Sequence, residues 1–321
     1  MRLKLSSFLQ MKPNLLVYQM LGWKMAFYYI LVLGRLYFSI KRREKRRIEL
    51  SIQAAFGHSK DKREIASITR DVFRGVFSHY YEKLFNAYED VRKLEFFFEN
   101  SVEAPNLGKI NEALRKGKGV LFVTAHYGGI EYIPIYLATN GFPTSVIAKC
   151  STNQLKDRLF LRADELGIKL IDANQKGKIL SAIVEELKDN RVVFIECDEI
   201  EEWRPSRRES ISFLGQRVGV DRTLNLLQRR TGAEIVFGLL HRHTLRKYSL
   251  FLEKGEEISQ RFKGAHLSLG AGVLKALESL IYLEPKQWYQ WKHYEEMGKI
   301  ESASEYPEGK ALPRLLNPAY S

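Results

Sequence analysis

Short apolar runs that alternate with helical stretches constrain the fold of this chain more than any other feature. Runs typical of strands are GVLFVTA (119–125), TSVIAK (144–149), IKLID (168–172), RVVFIEC (191–197), AEIVFGLL (233–240) and KYSLFLE (247–253). Stretches with helical spacing lie between several of them, at 153–166, 177–190 and 221–231. Continuous apolar strands alternating with helices predict an α/β fold with a mostly parallel central sheet flanked by helices.

The amino-terminal part predicts a membrane-associated helix. Residues 25–40, MAFYYILVLGRLYFSI, are apolar and aromatic, and the basic run KRREKRR follows at 41–47. A basic cluster beside such a helix is typical of a cytoplasmic membrane boundary. Lys24 and Arg35 interrupt the apolar run, so a spanning helix and a helix lying in the interface both stay open. A buried helix followed by a solvated charge run is the remaining alternative.

The boundaries of these patterns divide the chain into three segments. We predict a membrane-associated helix with its basic flank at 1–47, one α/β domain at 48–300 and an extended tail at 301–321. The tail lacks periodicity and contains Pro307, Pro313 and Pro318, which favour extended backbone.

The charge balance indicates an anionic partner. The formal net charge is +13, and nucleic acid, anionic lipid and an acidic carrier protein would all suit it. The two cysteines, Cys150 and Cys197, form no Cys-x-x-Cys pair, which argues against a zinc site or a disulfide framework. His241 and His243 lie close together without further ligands nearby, so we predict no metal.

A histidine and a glutamate follow the first strand, in the sequence TAHYGGIEYIP. Catalytic groups in open α/β sheets gather at the carboxyl ends of strands. His126 and Glu131 would point about 140° apart on one helix, so they can meet only if a helix begins near Gly128 or Gly129. A carboxylate on one ring nitrogen would leave the other free to accept a proton from a hydroxyl. A histidine with satisfied hydrogen bonds at a helix start is the alternative.

These motifs, in this order, resemble the lysophospholipid-acyltransferase-like superfamily. The chain is most similar to the late acyltransferases of lipid A biosynthesis (the lauroyl and myristoyl acyltransferases) and the related phosphatidylinositol mannoside acyltransferases. The resemblance rests on HYGGIE, IAKCSTNQLKDRLFLRADELG (147–167), CDE (197–199), SFLGQ (212–216), LLQRRTGAEIVFGLLHR (226–242) and EPKQWYQWKH (284–293). It implies a glycerolipid-acyltransferase-like fold for residues 48–300.

The resemblance also implies a reaction. His126 would be the general base for an acceptor hydroxyl, and Glu131 would orient it. The donor would be an acyl thioester on acyl carrier protein, whose acidity suits the +13 charge. The acceptor would be a lipid A precursor or related glycolipid at the cytoplasmic face of the inner membrane, with no cofactor and no nucleic acid. A lysophospholipid or other lipid alcohol is an alternative acceptor, and a non-catalytic basic membrane-binding protein is the alternative of another class.

Four further residues match cleft positions of that family and are predicted to bind substrate: Arg162, Asp198, Lys149 and Asn153. An exposed helix arginine, a turn residue at Asp198 and a plain N-cap at Asn153 are the structural alternatives. The chain departs from the family where Tyr-Gly-Gly-Ile replaces Phe-Gly-Asn-Trp, where Cys-Asp-Glu replaces Pro-Asp-Gln, and where Lys149 replaces an arginine. Trp288 and Trp291, three residues apart on a predicted helix, indicate packing or an interfacial anchor.

Overall fold

The computed structural model describes residues 8–9, 11–148, 153–173 and 179–298. Its strands are β1 (Val102–Glu103), β2 (Val120–Thr124), β3 (Thr144–Ala148), β4 (Lys169–Asp172), β5 (Val192–Glu196), β6 (Pro205–Phe213), β7 (Gln216–Asp221), β8 (Glu234–Thr244) and β9 (Lys247–Lys254). Seven of them form one sheet in the order β1-β9-β8-β2-β5-β3-β4, and β6 and β7 form a separate antiparallel hairpin. Every neighbouring pair in the large sheet is parallel except β8 and β9, which confirms the predicted mostly parallel sheet.

The central strand β2 shows why a continuous apolar run becomes a strand here. All five of its residues are buried, and successive side chains point to opposite faces of the sheet. Leu121 and Val123 join the hydrophobic cluster on one face, whereas Val120 and Phe122 join the cluster on the other. Both faces are therefore covered, as expected for parallel strands buried in an α/β fold.

Helices cover these two faces and precede the sheet. They are α1 (Lys12–Ile40), α2 (Arg42–Phe56), α3 (Lys62–Tyr88), α4 (Val91–Ser101), α5 (Gly108–Leu114), α6 (Ile133–Thr139), α7 (Asn153–Glu165), α8 (Ile179–Lys188), α9 (Thr223–Thr231), α10 (Gly255–Arg261), α11 (Leu269–Leu283) and α12 (Tyr294–Gly298). Single 3-10 turns occur at Ile130–Tyr132, Ile200–Glu202, Lys263–Ala265, Pro285–Gln287 and Gln290–His293.

The first helix packs along α3. It bends at Gly22, whose φ of 68° lies outside the helical region. Trp23 meets Tyr81 and Phe85 edge to face, and Phe38 packs against Phe77. Among the helices that the structure describes, none is both long enough and apolar enough to cross a bilayer.

The prediction that Trp288 and Trp291 share one helix is wrong, since Trp288 follows the 3-10 turn Pro285–Gln287 and Trp291 lies in the 3-10 turn Gln290–His293. Helix α11 ends at Leu283, because Glu284 precedes Pro285 and the residue before a proline is disfavoured in the helical region. The chain then runs back over the carboxyl end of the sheet, where Trp288 forms an isolated bridge with Tyr127. The segment 301–321 lies outside the described residues, and the three predicted segment boundaries stay predictions.

Candidate active site

A tight turn follows β2 and carries His126. Gly128 has a φ of 56°, and a Cβ at this position would collide with the carbonyl of Leu240. The backbone N–H groups of Gly128 and Gly129 donate to the carbonyls of Gln287 (2.9 Å) and Leu240 (2.8 Å). The 3-10 turn Ile130–Tyr132 begins directly afterwards, which confirms that the glycine pair forms the turn and that helical backbone starts there.

Asp198 is the carboxylate that holds the imidazole. Its Oδ1 lies 3.0 Å from His126 Nδ1, and both carboxylate oxygens accept from the backbone N–H of His126 at 3.1 and 3.0 Å. This contact follows from the parallel pairing of β2 with β5, in which Thr124 lies opposite Glu196. Two neighbouring strands that end together place the residues that follow them side by side. Asp198 is fully buried.

Glu131 does not make the expected contact with His126, so that part of the sequence prediction is wrong. Its carboxylate receives a hydrogen bond from Lys83 Nζ at 2.8 Å and lies 3.6 Å from His79 Nε2. The 3-10 turn directs Glu131 toward α3, where Asn86 also donates to its backbone carbonyl at 2.8 Å. Burial alone would raise the pKa of Glu131, but the Lys83 ammonium and His79 hold it below its ordinary value.

The second ring nitrogen of His126 faces the more open side of the turn. Its Nε2 lies 3.5 Å from Glu196 Oε2 and 3.6 Å from Glu199 Oε2, and the side chain is 21% exposed. Burial disfavours the imidazolium, but the Glu196 and Asp198 carboxylates outweigh it and raise the pKa of His126 to about 10. The donor atoms of His126, Glu196 and Glu199 lie within 4.8 Å of one another and are suited to a divalent cation, although two ion pairs already account for their arrangement.

The segment that follows α11 contacts both the turn that carries His126 and the Asp198 carboxylate. Trp288 Nε1 donates to Asp198 Oδ2 at 2.8 Å, and the backbone N–H of Tyr289 donates to the carbonyl of His126 at 2.9 Å. The side-chain amide of Gln290 lies 3.0 Å from His126 Nδ1. Trp288 is therefore more than the packing residue or interfacial anchor that its spacing suggested, since it orients the carboxylate that orients the histidine.

A buried ion pair supports the other side of the turn. Arg242 forms a bidentate pair with Glu82, with one of its two contacts at 2.6 Å, and Tyr248 Oη donates to the same carboxylate at 2.9 Å. The same guanidinium donates to the carbonyl of Gly128 at 2.5 Å. Tyr289 Oη also donates to that carbonyl. The Arg242–Glu82 pair thus helps to hold the backbone of the turn that carries His126.

The comparison of sequences decides the family of this chain. A family model described as bacterial lipid A biosynthesis acyltransferase matches residues 14–293, which contain the whole site described above. The chain belongs to this family. A comparison with the curated proteins finds no match. Membership makes the chain an acyltransferase of the lipid A biosynthesis family and confirms the resemblance drawn from HYGGIE and the motifs that follow it.

The remaining predicted site residues of this acyltransferase fall in three places. Arg162 is buried rather than exposed: its guanidinium donates to the carbonyl of Glu89 and lies 3.3 Å from the Glu165 carboxylate. It packs against the end of α3, the helix whose Lys83 contacts Glu131, and makes no contact with His126 among the described residues. Lys149 lies outside the described residues, and Asn153 begins α7 with its side chain undescribed.

His241 and His243 each have a hydrogen-bond partner in the fold. His241 Nδ1 lies 3.0 Å from Tyr127 Oη, and His243 Nε2 lies 2.8 Å from Ser249 Oγ. Both rings are thus engaged with hydroxyl groups, and Arg242 between them points into the core.

Sequence reasoning missed the residues that support the turn from a distance. On α3, His79, Glu82, Lys83 and Asn86 recur at helical spacing and face the site. Their recurrence at i, i+3, i+4 and i+7 among the aromatic and aliphatic residues of the second half of α3 was the signal available for them. Nothing in the local sequence distinguishes Trp288 from Trp291, because the role of Trp288 depends on its contact with Asp198, 90 positions earlier in the chain.

Replacement of Trp288 by phenylalanine tests the link to Asp198. Because the indole N–H is lost, the less stabilised carboxylate draws the imidazolium more strongly, so the acid limb of kcat/KM moves to higher pH. We expect a loss of about 1–3 kcal/mol in the free energy of unfolding and about tenfold in kcat/KM at neutral pH. Urea unfolding and a pH–rate profile measure the two effects.

Trp291→Phe is the matched control for that experiment. Trp291 is equally buried, and its indole donates to the carbonyl of Pro285 at 3.0 Å instead of to Asp198. It should lose comparable stability and keep the wild-type pH profile. Identical pH profiles for both variants would show that Trp288 only packs.

Proposed function

We propose that this acyltransferase moves a fatty acyl group from an acyl carrier protein thioester to a hydroxyl of a lipid A precursor or a related glycolipid. The reaction would take place at the cytoplasmic face of the inner membrane. The observation that carries the proposal is the His126–Asp198 pair at the end of β2, with Nε2 directed outward and Nδ1 held by a buried carboxylate.

The pair is suited to general base catalysis of acyl transfer. Asp198 accepts the Nδ1 hydrogen and leaves the Nε2 lone pair for the acceptor hydroxyl. Nε2 takes the hydroxyl proton while the acceptor oxygen bonds to the thioester carbonyl carbon. The C–S bond then breaks, and the imidazolium returns the proton to the leaving thiolate. The products are an ester and a free carrier thiol, and the histidine ends neutral as it began.

The two glutamates at Nε2 determine when this base becomes available. In the free protein Glu196 and Glu199 stabilise the imidazolium, so His126 carries a proton at neutral pH. An acceptor hydroxyl that reaches Nε2 must displace these carboxylates, and the Nε2 proton passes to one of them as they leave, so the neutral base forms only in the presence of substrate. Glu131 lies in the 3-10 turn Ile130–Tyr132, and its carboxylate adds negative charge near the imidazolium without a hydrogen bond to it.

A Glu196→Gln substitution tests this electrostatic control. The base works only when neutral, so kcat/KM rises with pH through the pKa of His126, which is about 10. Loss of the Glu196 charge lowers that pKa and moves the acid limb to lower pH. Each unit of fall increases the neutral fraction at pH 7 about tenfold, and we expect an increase of that order. A pH–rate profile whose acid limb stays in place would refute the proposed effect of Glu196 on His126.

Positive charge elsewhere in the molecule supports the proposed substrates. Arg162 is buried, and its Nε has no hydrogen-bond partner among the described residues, which suits it to an acceptor phosphate. The net charge of +13 suits an acidic carrier protein. We propose Lys149 and Asn153 as further substrate contacts, on the family resemblance alone.

Lipid mass spectrometry tests the acceptor directly. Lipids from cells with and without the protein are compared, and purified protein is given acyl-carrier-protein thioester with lipid A precursor or with lysophospholipid. We expect one acyl chain to be missing from a lipid A species in the deficient cells. Transfer to lysophospholipid with none to lipid A precursor would reject the proposed acceptor while retaining the chemistry. Thioester consumption in neither reaction would reject the proposed donor or the enzyme assignment.

A further inference from the structure

Three side chains converge at the outer ring nitrogen of His126. Glu196 is the last residue of β5, and Glu199 directly precedes the 3-10 turn Ile200–Glu202. Their carboxylate oxygens lie 3.5 and 3.6 Å from His126 Nε2, and the three atoms lie within 4.8 Å of one another. The proposed reaction uses these carboxylates only to hold a proton on Nε2. The same three atoms are also a possible ligand set for a divalent cation.

The spacing of these atoms fits tetrahedral coordination of zinc. Zinc bonds of about 2.0–2.1 Å to nitrogen and oxygen place neighbouring tetrahedral ligands about 3.3–3.4 Å apart. The two distances from Nε2, 3.5 and 3.6 Å, are within about 0.3 Å of that spacing. The side chains of Glu196 and Glu199 are 40% and 34% exposed, so both carboxylates have room to rotate toward a cation. Three protein ligands leave the fourth position open to water.

Asp198 supplies the outer contact that is typical of a zinc-bound histidine. Ligating histidines donate their other ring N–H to a carboxylate or carbonyl, which fixes the tautomer and makes the ligating nitrogen more basic. Asp198 is fully buried, and its Oδ1 lies 3.0 Å from His126 Nδ1. Trp288 Nε1 donates to the other oxygen of that carboxylate at 2.8 Å. An imidazole held in this way presents its Nε2 lone pair to a cation that displaces the proton.

A buried hydroxyl beside Glu196 is independent support for a ligand at this place. Thr124 lies opposite Glu196 in the parallel pairing of β2 with β5, so the two side chains point to the same face of the sheet. Thr124 is 2% exposed, and its Oγ1 has no hydrogen-bond partner among the described residues. Buried hydroxyl groups are rarely left unpaired. A water bound to the cation, or the Glu196 carboxylate turned toward it, would give this hydroxyl a partner.

We propose that His126, Glu196 and Glu199 form a zinc site whose occupation blocks the enzyme. Zn²⁺ takes the Nε2 lone pair that accepts the hydroxyl proton, so the inhibition rests on the proposed function, whereas zinc binding does not. Imidazole suits zinc, but Mg²⁺ prefers octahedral oxygen ligands, so Mg²⁺ does not inhibit. Because zinc and the acceptor hydroxyl compete for one atom, zinc raises the KM for the acceptor and leaves kcat unchanged.

Titration calorimetry of the full chain with zinc chloride measures binding directly. Glu199→Gln should lose more than about 100-fold in affinity, since even the outer contacts of a metal site contribute about 10–100-fold. Trp288→Phe keeps all three ligands and should lose about tenfold through Asp198. His243→Ala removes an exposed histidine on β8 and should bind zinc as the wild-type chain does. Equal zinc affinity of Glu199→Gln and the wild-type chain would mean an adventitious ion only and would overturn the proposal.

The transfer assay distinguishes failure of the zinc site from failure of the proposed function. Thioester consumption with lipid A precursor is followed in zinc chloride or magnesium chloride, with and without EDTA. We expect zinc to inhibit, EDTA to restore transfer and magnesium to have no effect. Equal inhibition by magnesium, or transfer that persists while the calorimetric site is saturated with zinc, would overturn the proposal and leave the proposed function intact. Zinc binding that depends on Glu199 in a chain that transfers no acyl group would support the site and reject the proposed function.

Discussion

Replacement of His126 by asparagine is expected to lower kcat for acyl transfer by about 10²–10⁴-fold, the usual contribution of a positioned base. Asparagine is chosen because its amide can take the place of Nδ1 and keep a donor on Asp198, which accepts from His126 at 3.0 Å. Alanine would instead leave the fully buried Asp198 carboxylate with fewer donors and confound activity with stability. The variant therefore removes Nε2 alone.

Thioester consumption and circular dichroism together measure this effect. His243→Ala is the control, since His243 is exposed and bonds only to Ser249 among the described residues. It should retain wild-type transfer. Wild-type transfer by the asparagine variant, with its folded spectrum intact, would remove His126 from the reaction and leave the chain without its proposed base.

Replacement of Arg242 by methionine is expected to lower the free energy of unfolding by about 3–5 kcal/mol. The substitution leaves the Glu82 carboxylate fully buried with a single hydrogen bond, from Tyr248. It also removes one donor from the carbonyl of Gly128, so the turn that carries His126 loses part of its support. Urea unfolding followed by fluorescence measures the loss.

The double variant E82M/R242M distinguishes the contribution of the ion pair to stability from its contribution to positioning the turn. Replacing both charges by apolar side chains of similar size removes the unpaired carboxylate, so the double variant should be more stable than R242M alone. If the pair also positions the turn, kcat should stay depressed in the double variant although stability returns. Recovery of both quantities would show that the pair contributes to folding only.

The sequence alone predicted the mostly parallel sheet and the glycine turn that carries His126. Continuous apolar strands such as 119–125 and 191–197 are buried only when other elements pack on both faces of their sheet. Because these strands alternate with helical stretches, the sequence predicted a mostly parallel sheet with helices on both faces. His126 after a strand and the glycine pair after it were also local features, and Gly128 occupies the positive-φ turn that glycine allows.

The tertiary structure decided which carboxylate holds the histidine. Local spacing favoured Glu131, but the turn sends its side chain toward Lys83, and the in-register pairing of β2 with β5 delivers Asp198 instead. Trp288 pairs with Tyr127 of the turn, 161 positions earlier, and Arg242 donates to the carbonyl of Gly128, 114 positions earlier. Periodicity reports only which face of one element is buried. Contacts between strand ends, and between a chain's return segment and an earlier turn, are set by the packing of several elements at once.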